Sequence, residues 1–149
     1  MGNICRSPSA QGVFEKLVTE QDIQDQYQID SAATHSYHVG HLPDSRAIDC
    51  ASKRGIDLSS QRARKIKSRD MAEYDYVVAM DNDNYNNLMT ICEGKYKGKV
   101  YKIIDFIKHS EYSEIPDPYY GGAGGFDLVL DLLEASCQKL LAQISSAKI

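Results

Sequence analysis

The sequence predicts an α/β fold of three layers, with a central parallel sheet and helices on both faces. Three observations carry this. Apolar runs of strand length alternate with segments whose apolar residues recur at helical spacing. A strongly amphipathic segment closes the chain, and a loop rich in glycine and proline precedes it. At 149 residues, 42% hydrophobic and 26% charged, the chain has the size and mix of one domain over 1–149 that buries its own core.

The elements follow in order. "SPSAQGVFEKLVTE" (7–20) reads as a helix, with Ser7 placed to cap it and Pro8 in the first turn, where its missing N–H does no harm. Ala10, Val13, Phe14 and Leu17 fall on one face. "YQIDSAA" (27–33) is a short strand, and "DSRAIDCASKRG" (44–55) a helix stopped by Gly55. "YDYVVAM" (74–80) is an apolar strand buried on both faces. "DNDNYNNLMTIC" (81–92) is a helix with an acidic first turn, favourable to its dipole. "KVYKIIDF" (99–106) is another strand, and 107–125 a long polar loop. The closing helix, 126–144, lines up Phe126, Val129, Leu130, Leu133, Cys137, Leu140, Leu141 and Ile144. The basic run Arg62, Arg64, Lys65, Lys67 and Arg69 reads as a solvated helix or loop face, with a partner site as the lesser reading.

Charge and cysteine usage exclude some functions. A net charge of −4 argues against nonspecific nucleic-acid binding and against an anionic membrane surface. No apolar run has the length to span a bilayer. Cys5, Cys50, Cys92 and Cys137 are scattered, with no C-x-x-C pair, so neither zinc nor a redox dithiol is suggested. Scattered cysteines fit a reducing, cytoplasmic setting.

Two stretches carry chemistry. "MGNICRSPSA" opens the chain. Gly2 and Asn3 tolerate left-handed backbone, and successive N–H groups in such a loop form a nest for an anion. The helix beginning near Ser7 adds its N-terminal partial charge at the same spot. Arg6 brings a planar fork that matches two phosphate oxygens. The second stretch is "IPDPYYGG" (115–122). Asp117 stands between two prolines that narrow its backbone freedom, with Tyr119 and Tyr120 directly after it. A carboxylic acid held beside rings that can stack an aryl leaving group suits a general acid. Alone, each stretch has an ordinary explanation, a capped helix and a turn.

Together they resemble the low-molecular-weight protein tyrosine phosphatases. That family has a phosphate loop of form C-x5-R-S near its N-terminus and an acid loop reading D-P-Y/F/W near its C-terminus. Here "GNICRSPSAQGVF" (2–14) and "DPYYG" (117–121) match them. "IDSAATHSYHVGHLPDSRA" (29–47) and "YDYVVAMDNDNYNNL" (74–88) match the segments between, in the same order. The resemblance implies a four-stranded parallel sheet and dephosphorylation of protein phosphotyrosine through a cysteinyl-phosphate intermediate, without cofactor or metal. It makes Arg6 the arginine that grips phosphate oxygens, and Gly2, Asn3, Ile4, Cys5 and Ser7 the phosphate loop and its support. Asp117 becomes the proton donor. Tyr37 and Tyr119 become cleft walls, and Tyr119 and Tyr120 match tyrosines that some members present for phosphorylation. Ser31, with Asn3, becomes a support of the loop. Inorganic phosphate or sulfate is expected to occupy the loop, and a weak homodimer fits aromatic residues around the cleft.

Two departures stand out. Gln61 replaces a histidine common in the family, so this support can hydrogen-bond but cannot titrate. The larger departure is at the start. Counting six back from Arg6 places the nucleophilic cysteine just before Met1, and the family's first, interior strand before that. The expectation is that the start lies upstream of Met1. A truncation and a slot filled by exchange with a neighbouring molecule are the alternatives. The 149 residues by themselves are expected to be inactive or nearly so, because Cys5 directly precedes Arg6 and the loop cannot close around a phosphate centred on its sulfur. A non-catalytic binder of phosphate or phosphotyrosine is one competing function. Arsenate reduction on the same fold is another, but it needs a pair of relay cysteines where only Cys92 stands.

Overall fold

A computed structural model describes residues 5–108, 110–118 and 124–147. Helix α1 spans Arg6–Glu20. It starts one residue earlier than predicted, with Cys5 at the N-cap and no side-chain cap. Ser7 therefore lies inside the first turn and does not cap it. The Cys5 carbonyl holds that turn instead, accepting from the Ser9 hydroxyl at 2.7 Å and the Ser9 N–H at 3.2 Å. The apolar face is as predicted: Val13 and Phe14 are buried, with Ala10 and Leu17 packed against the same core.

Helix α2 is Ser45–Ser52, capped by Asp44, whose carboxylate accepts from the Arg46 N–H. The turn after it ends at Gly55, whose φ of +76° is the left-handed conformation glycine adopts without strain. A short helix, α3, covers Ser68–Glu73, beginning at the end of the basic run that reads in sequence as a helix or loop face. Strand β1 is Val77–Ala79, α4 is Asn82–Ile91, β2 is Val100–Lys102 and α5 is Gly124–Ala147. After β2 the chain tightens into a 3₁₀ turn over Ile103–Phe106, which tucks Ile103 and Ile104 into the core and ends the predicted strand early.

The two strands are parallel, pairing Val77 with Val100, Val78 with Tyr101 and Ala79 with Lys102. Helices flank them on both sides. Val77 and Ala79 pack with Met71, Leu88, Cys92 and Val100 towards α3 and α4. Val78 and Met80 pack on the other side, in the core built by α1, α2 and α5. Alternate side chains of one strand thus serve two cores, the pattern of a parallel strand covered on both faces. Every residue of the predicted α5 stripe, from Phe126 to Ile144, is buried.

Two sheet expectations need correction. Among the described residues the sheet has two strands, not the three expected once the family's first strand is set aside. Residues 27–33 form no strand; only Ala33 makes an isolated parallel bridge, to Lys65. Extended backbone becomes a strand only with a partner along its edge. Here a cavity separates residues 27–32 from β1, and side chains tie the segment down instead. Asp30 pairs with Arg64 at 3.0 Å, and Arg64 pairs in turn with the buried Asp70 at 2.9 Å. Further along, the Arg54 guanidinium binds three carboxylates of α5, Asp127, Asp131 and Glu134, fastening the end of α2 to that helix.

Burial works against the charged Asp70, but the hydrogen bonds from Arg64 and the Lys67 N–H outweigh it and hold its carboxyl below the usual range. A depressed folded-state value means that this stabilisation is complete above about pH 4, the unfolded value, and is lost as pH falls through the folded value. Asp70→Asn is therefore expected to cost roughly 2 kcal/mol at pH 7. In urea unfolding, the gap from the parent should narrow below pH 4. Gly12 offers a second check, because a Cβ there would lie 2.5 Å from Leu58 Cδ2 and 2.7 Å from Ile56 Cγ2. Alanine gains about 1 kcal/mol in helix propensity but overpacks a filled core at about 1–3 kcal/mol. Gly12→Ala is expected to lower the urea midpoint.

Candidate active site

Arg6 opens α1 yet is only 5% exposed. Its Nη1 donates to the Ile115 carbonyl at 2.9 Å and meets Asp81 Oδ2 at 2.7 Å. The same nitrogen thus joins three distant parts of the chain: the start of α1, the end of β1 and the segment leading to Asp117. Asp81 does two jobs, because its other oxygen caps α4 by accepting from the Asn84 N–H at 2.7 Å. Ile115 is held a second way, its N–H donating to the Met80 carbonyl at 3.0 Å. The stretch before Asp117 is therefore fixed to both α1 and β1.

Cys5, Arg6, Ser7, Ser31, Tyr37 and Asp117 all line one cavity of about 650 Å³. These are the predicted site residues that the structure describes, and the fold brings them together. Gly2, Asn3, Ile4, Tyr119 and Tyr120 lie outside the described residues. Asp117 is exposed, so the desolvation expected of a general acid is not supplied by the described residues; Pro118 beside it is buried. Tyr37 is 75% exposed and stacks on His35, with ring centroids 5.4 Å apart.

Support for the first turn of α1 comes from two directions. The Gln61 side-chain amide donates to the Pro8 carbonyl at 3.0 Å. The Ser31 hydroxyl donates to Gln11 Oε1 at 2.6 Å and lies 3.5 Å from Gln61 Oε1. Gln61 thus takes a supporting place beside Ser31. Gln11 was missed by sequence reasoning; its position one turn along α1, facing the 27–33 segment, was the available signal. Asp81 was read only as a favourable charge on the helix, although its neighbour in space is Arg6. Asp44 and Arg46 were also missed. They form a bidentate pair at 3.0 and 3.1 Å, with the Arg46 guanidinium 4.9 Å from the centre of the Phe126 ring.

The electrostatics at Cys5 run against a reactive thiolate. Burial pushes its thiol up to about 12, and the Asp44 and Asp117 carboxylates push the same way, while Arg46 opposes them. At neutral pH Cys5 is a thiol. Among the described residues no group of three His, Cys, Asp or Glu side chains could hold a metal ion. No helix of the described residues is long and apolar enough to cross a membrane.

This architecture and chain order define a known class of α/β phosphatase, and the comparisons bear that out. The chain belongs to the low molecular weight phosphotyrosine protein phosphatase family, whose model matches residues 1–148. A crystal structure of a protein tyrosine phosphatase from Entamoeba histolytica, with Hepes in its active site, superposes with a TM-score of 0.95 at 41% identity, covering 100% of this chain and 95% of that one. The low molecular weight protein-tyrosine-phosphatase YfkJ of Bacillus subtilis is 31% identical over 99% of this chain and 94% of its own length. The human low molecular weight phosphotyrosine protein phosphatase is 36% identical over 95% of this chain and 89% of its own length.

Removing the Arg6 guanidinium would leave Asp81 without its cation and the Ile115 carbonyl without its donor. Arg6→Ala is expected to cost about 3 kcal/mol in chemical denaturation. Arg6→Lys, which keeps the charge but not the fork, is expected to recover part of that loss.

Proposed function

We propose that residues 1–149 belong to one cytoplasmic phosphatase domain whose substrate is a phosphotyrosine side chain. The meeting of Arg6 with the acid-loop segment at Ile115, across 109 residues of sequence, carries this reading. Both contacts of Arg6 use Nη1, so the rest of the guanidinium edge is the part that grips two phosphate oxygens. Residues 2–7 and the N-terminus of α1 complete the cradle, which inorganic phosphate or sulfate would also fill. Tyr37 lines the aryl side of the cleft, and Tyr119 and Tyr120 are proposed opposite it. Ser31 and Gln61 brace the cradle from behind.

The chemistry is a double displacement. A thiolate six positions before Arg6 attacks phosphorus, the bond to the aryl oxygen breaks, and Asp117 delivers its proton to the departing phenolate. Water then attacks the cysteinyl phosphate, Asp117 takes the proton from that water, and the P–S bond breaks to return the thiolate. Cys5 directly precedes Arg6 and burial pushes its thiol up to about 12, so we propose that Cys5 is not the nucleophile. A phosphotyrosine binder without turnover is the second reading. Arsenate reduction gains no support, since Cys92 is buried in the core towards α4 and does not line the cavity.

Hydrolysis of p-nitrophenyl phosphate by the 149-residue polypeptide is expected to be negligible and unchanged by Cys5→Ser; strong turnover abolished by Cys5→Ser would overturn the assignment. A polypeptide extended ahead of Met1 by a strand ending in cysteine is expected to hydrolyse the ester. In it, Asp117→Asn should lower kcat by roughly 10²- to 10³-fold. Tight phosphotyrosine binding by the extended polypeptide without turnover would favour the binder instead.

A further inference from the structure

Of the 4 histidines in the chain, His35, His38 and His41 fall in one stretch, "HSYHVGH" (35–41), each three residues after the last. The site described above uses none of their imidazoles. The backbone brings two of them together. The His41 N–H donates to the His38 carbonyl at 2.9 Å, which closes a turn over His38–His41. Gly40, the third residue of that turn, has a φ of +85°, which a type II turn requires there and glycine adopts without strain. A β-turn holds its first and fourth Cα atoms within about 7 Å, so this one seats His38 beside His41. The turn is itself anchored. The Gly40 N–H donates to the Ala63 carbonyl at 2.7 Å, and the Ala63 N–H donates to the His41 carbonyl at 2.8 Å. Ala63 is buried, so the pair stands on fixed backbone.

The two rings have the spacing of ligands to one ion. Their centres are 5.7 Å apart and their planes are tilted by 52°. A zinc–nitrogen bond is about 2.0–2.1 Å and a ring nitrogen lies about 1.1 Å from its ring centre, so two imidazoles on one tetrahedral ion stand roughly 5 Å apart. A small side-chain rotation closes the difference. The tilt matters too. Ligand lone pairs lie in the ring planes, and planes that cross let two of them meet at one point, which flat stacking forbids. Among the described residues neither imidazole makes a hydrogen bond, and neither residue is buried. His35 is engaged differently: it stacks on Tyr37, with only 27° between the rings.

We propose that His38 and His41 form a binding site for one divalent cation of the copper, nickel and zinc class, with water in its remaining positions. Neutral imidazole suits these ions, whereas magnesium and calcium take oxygen ligands. With one ring bound, the second is held nearby by the turn, so its binding is intramolecular. His38 also lines the cavity, so the ion adds positive charge to the cavity rim on the side of Tyr37. The phosphatase reading requires no metal, and the site stands whether or not that reading does.

Nickel chloride is the probe, because nickel(II) favours imidazole and broadens the proton signals of its ligands. Calorimetry is expected to show saturable binding of one nickel ion per chain, and the ring protons of His38 and His41 are expected to broaden first. Copper(II) is expected to bind more tightly, and magnesium not at all. His38→Gln and His41→Gln each remove one of the two ligands, and each is expected to weaken nickel binding by roughly tenfold or more. His35→Gln is expected to leave it unchanged. None of the three residues is buried, so Tm is expected to match the parent in every variant. Gly40→Ala keeps both rings, and its added Cβ meets nothing within 4 Å, but it strains the turn. It is expected to weaken binding by roughly threefold or more. No saturable nickel binding, or binding unchanged by His41→Gln, overturns the proposal. An equal loss in His35→Gln also overturns it, because the ion would then sit elsewhere in the loop.

Discussion

The Arg6 guanidinium is the joint on which the rest of the site depends. It is a buried charge, and a buried charge persists only when paired and hydrogen-bonded. Asp81 supplies the charge and the Ile115 carbonyl the hydrogen bond. Because Asp81 also caps α4, one carboxylate sets the start of α4 and the position of Arg6 together. The stretch leading to Asp117 is then placed by its backbone carbonyl, which tolerates changes in side chain along the loop. Desolvation of the guanidinium and its partners opposes this joint. The joint is therefore better understood as fixing geometry than as adding stability.

Around that joint the fold keeps two separate cores. One gathers beneath α1, α2 and α5, the other beneath α3 and α4. β1 is the common wall, with alternate residues given to each. The apolar residues of α1 and α5 that pack well, such as Val13 and Leu133, face other helices. Phe14 and Ile144 are buried in the same core and also line the cavity.

What the sequence disclosed followed from how local each signal was. Helices α1 and α5 were legible because apolar spacing of three and four residues is written within one segment, and burial of Val13, Phe14 and the α5 stripe agrees with it. The residues of the site were legible through resemblance, and five of them, with Ser31, meet at one cavity. Strand 27–33 failed because β structure is a property of pairs: its residues have strand composition, but no strand is described beside most of them. Ser7 was misjudged as a cap because the Cys5 carbonyl, invisible in composition, holds the turn. The α3 helix and the Arg64 pairs were hidden in a basic run whose partners, Asp30 and Asp70, lie on either side of it in sequence. Asp81 gave half its role away, the cap, but its ion pair reaches back 75 residues to Arg6.

The sequence separation between Arg6 and Ile115 also sets when the site can exist. A nascent chain leaves the ribosome with Arg6 first and the carbonyl that fixes it more than a hundred residues later. Until α5 follows and closes the larger core, Arg6 is an exposed cation on an unanchored helix. The buried place of Arg6 is thus a late product of synthesis, and a chain stalled before its final segments carries the arginine without the carbonyl that fixes it.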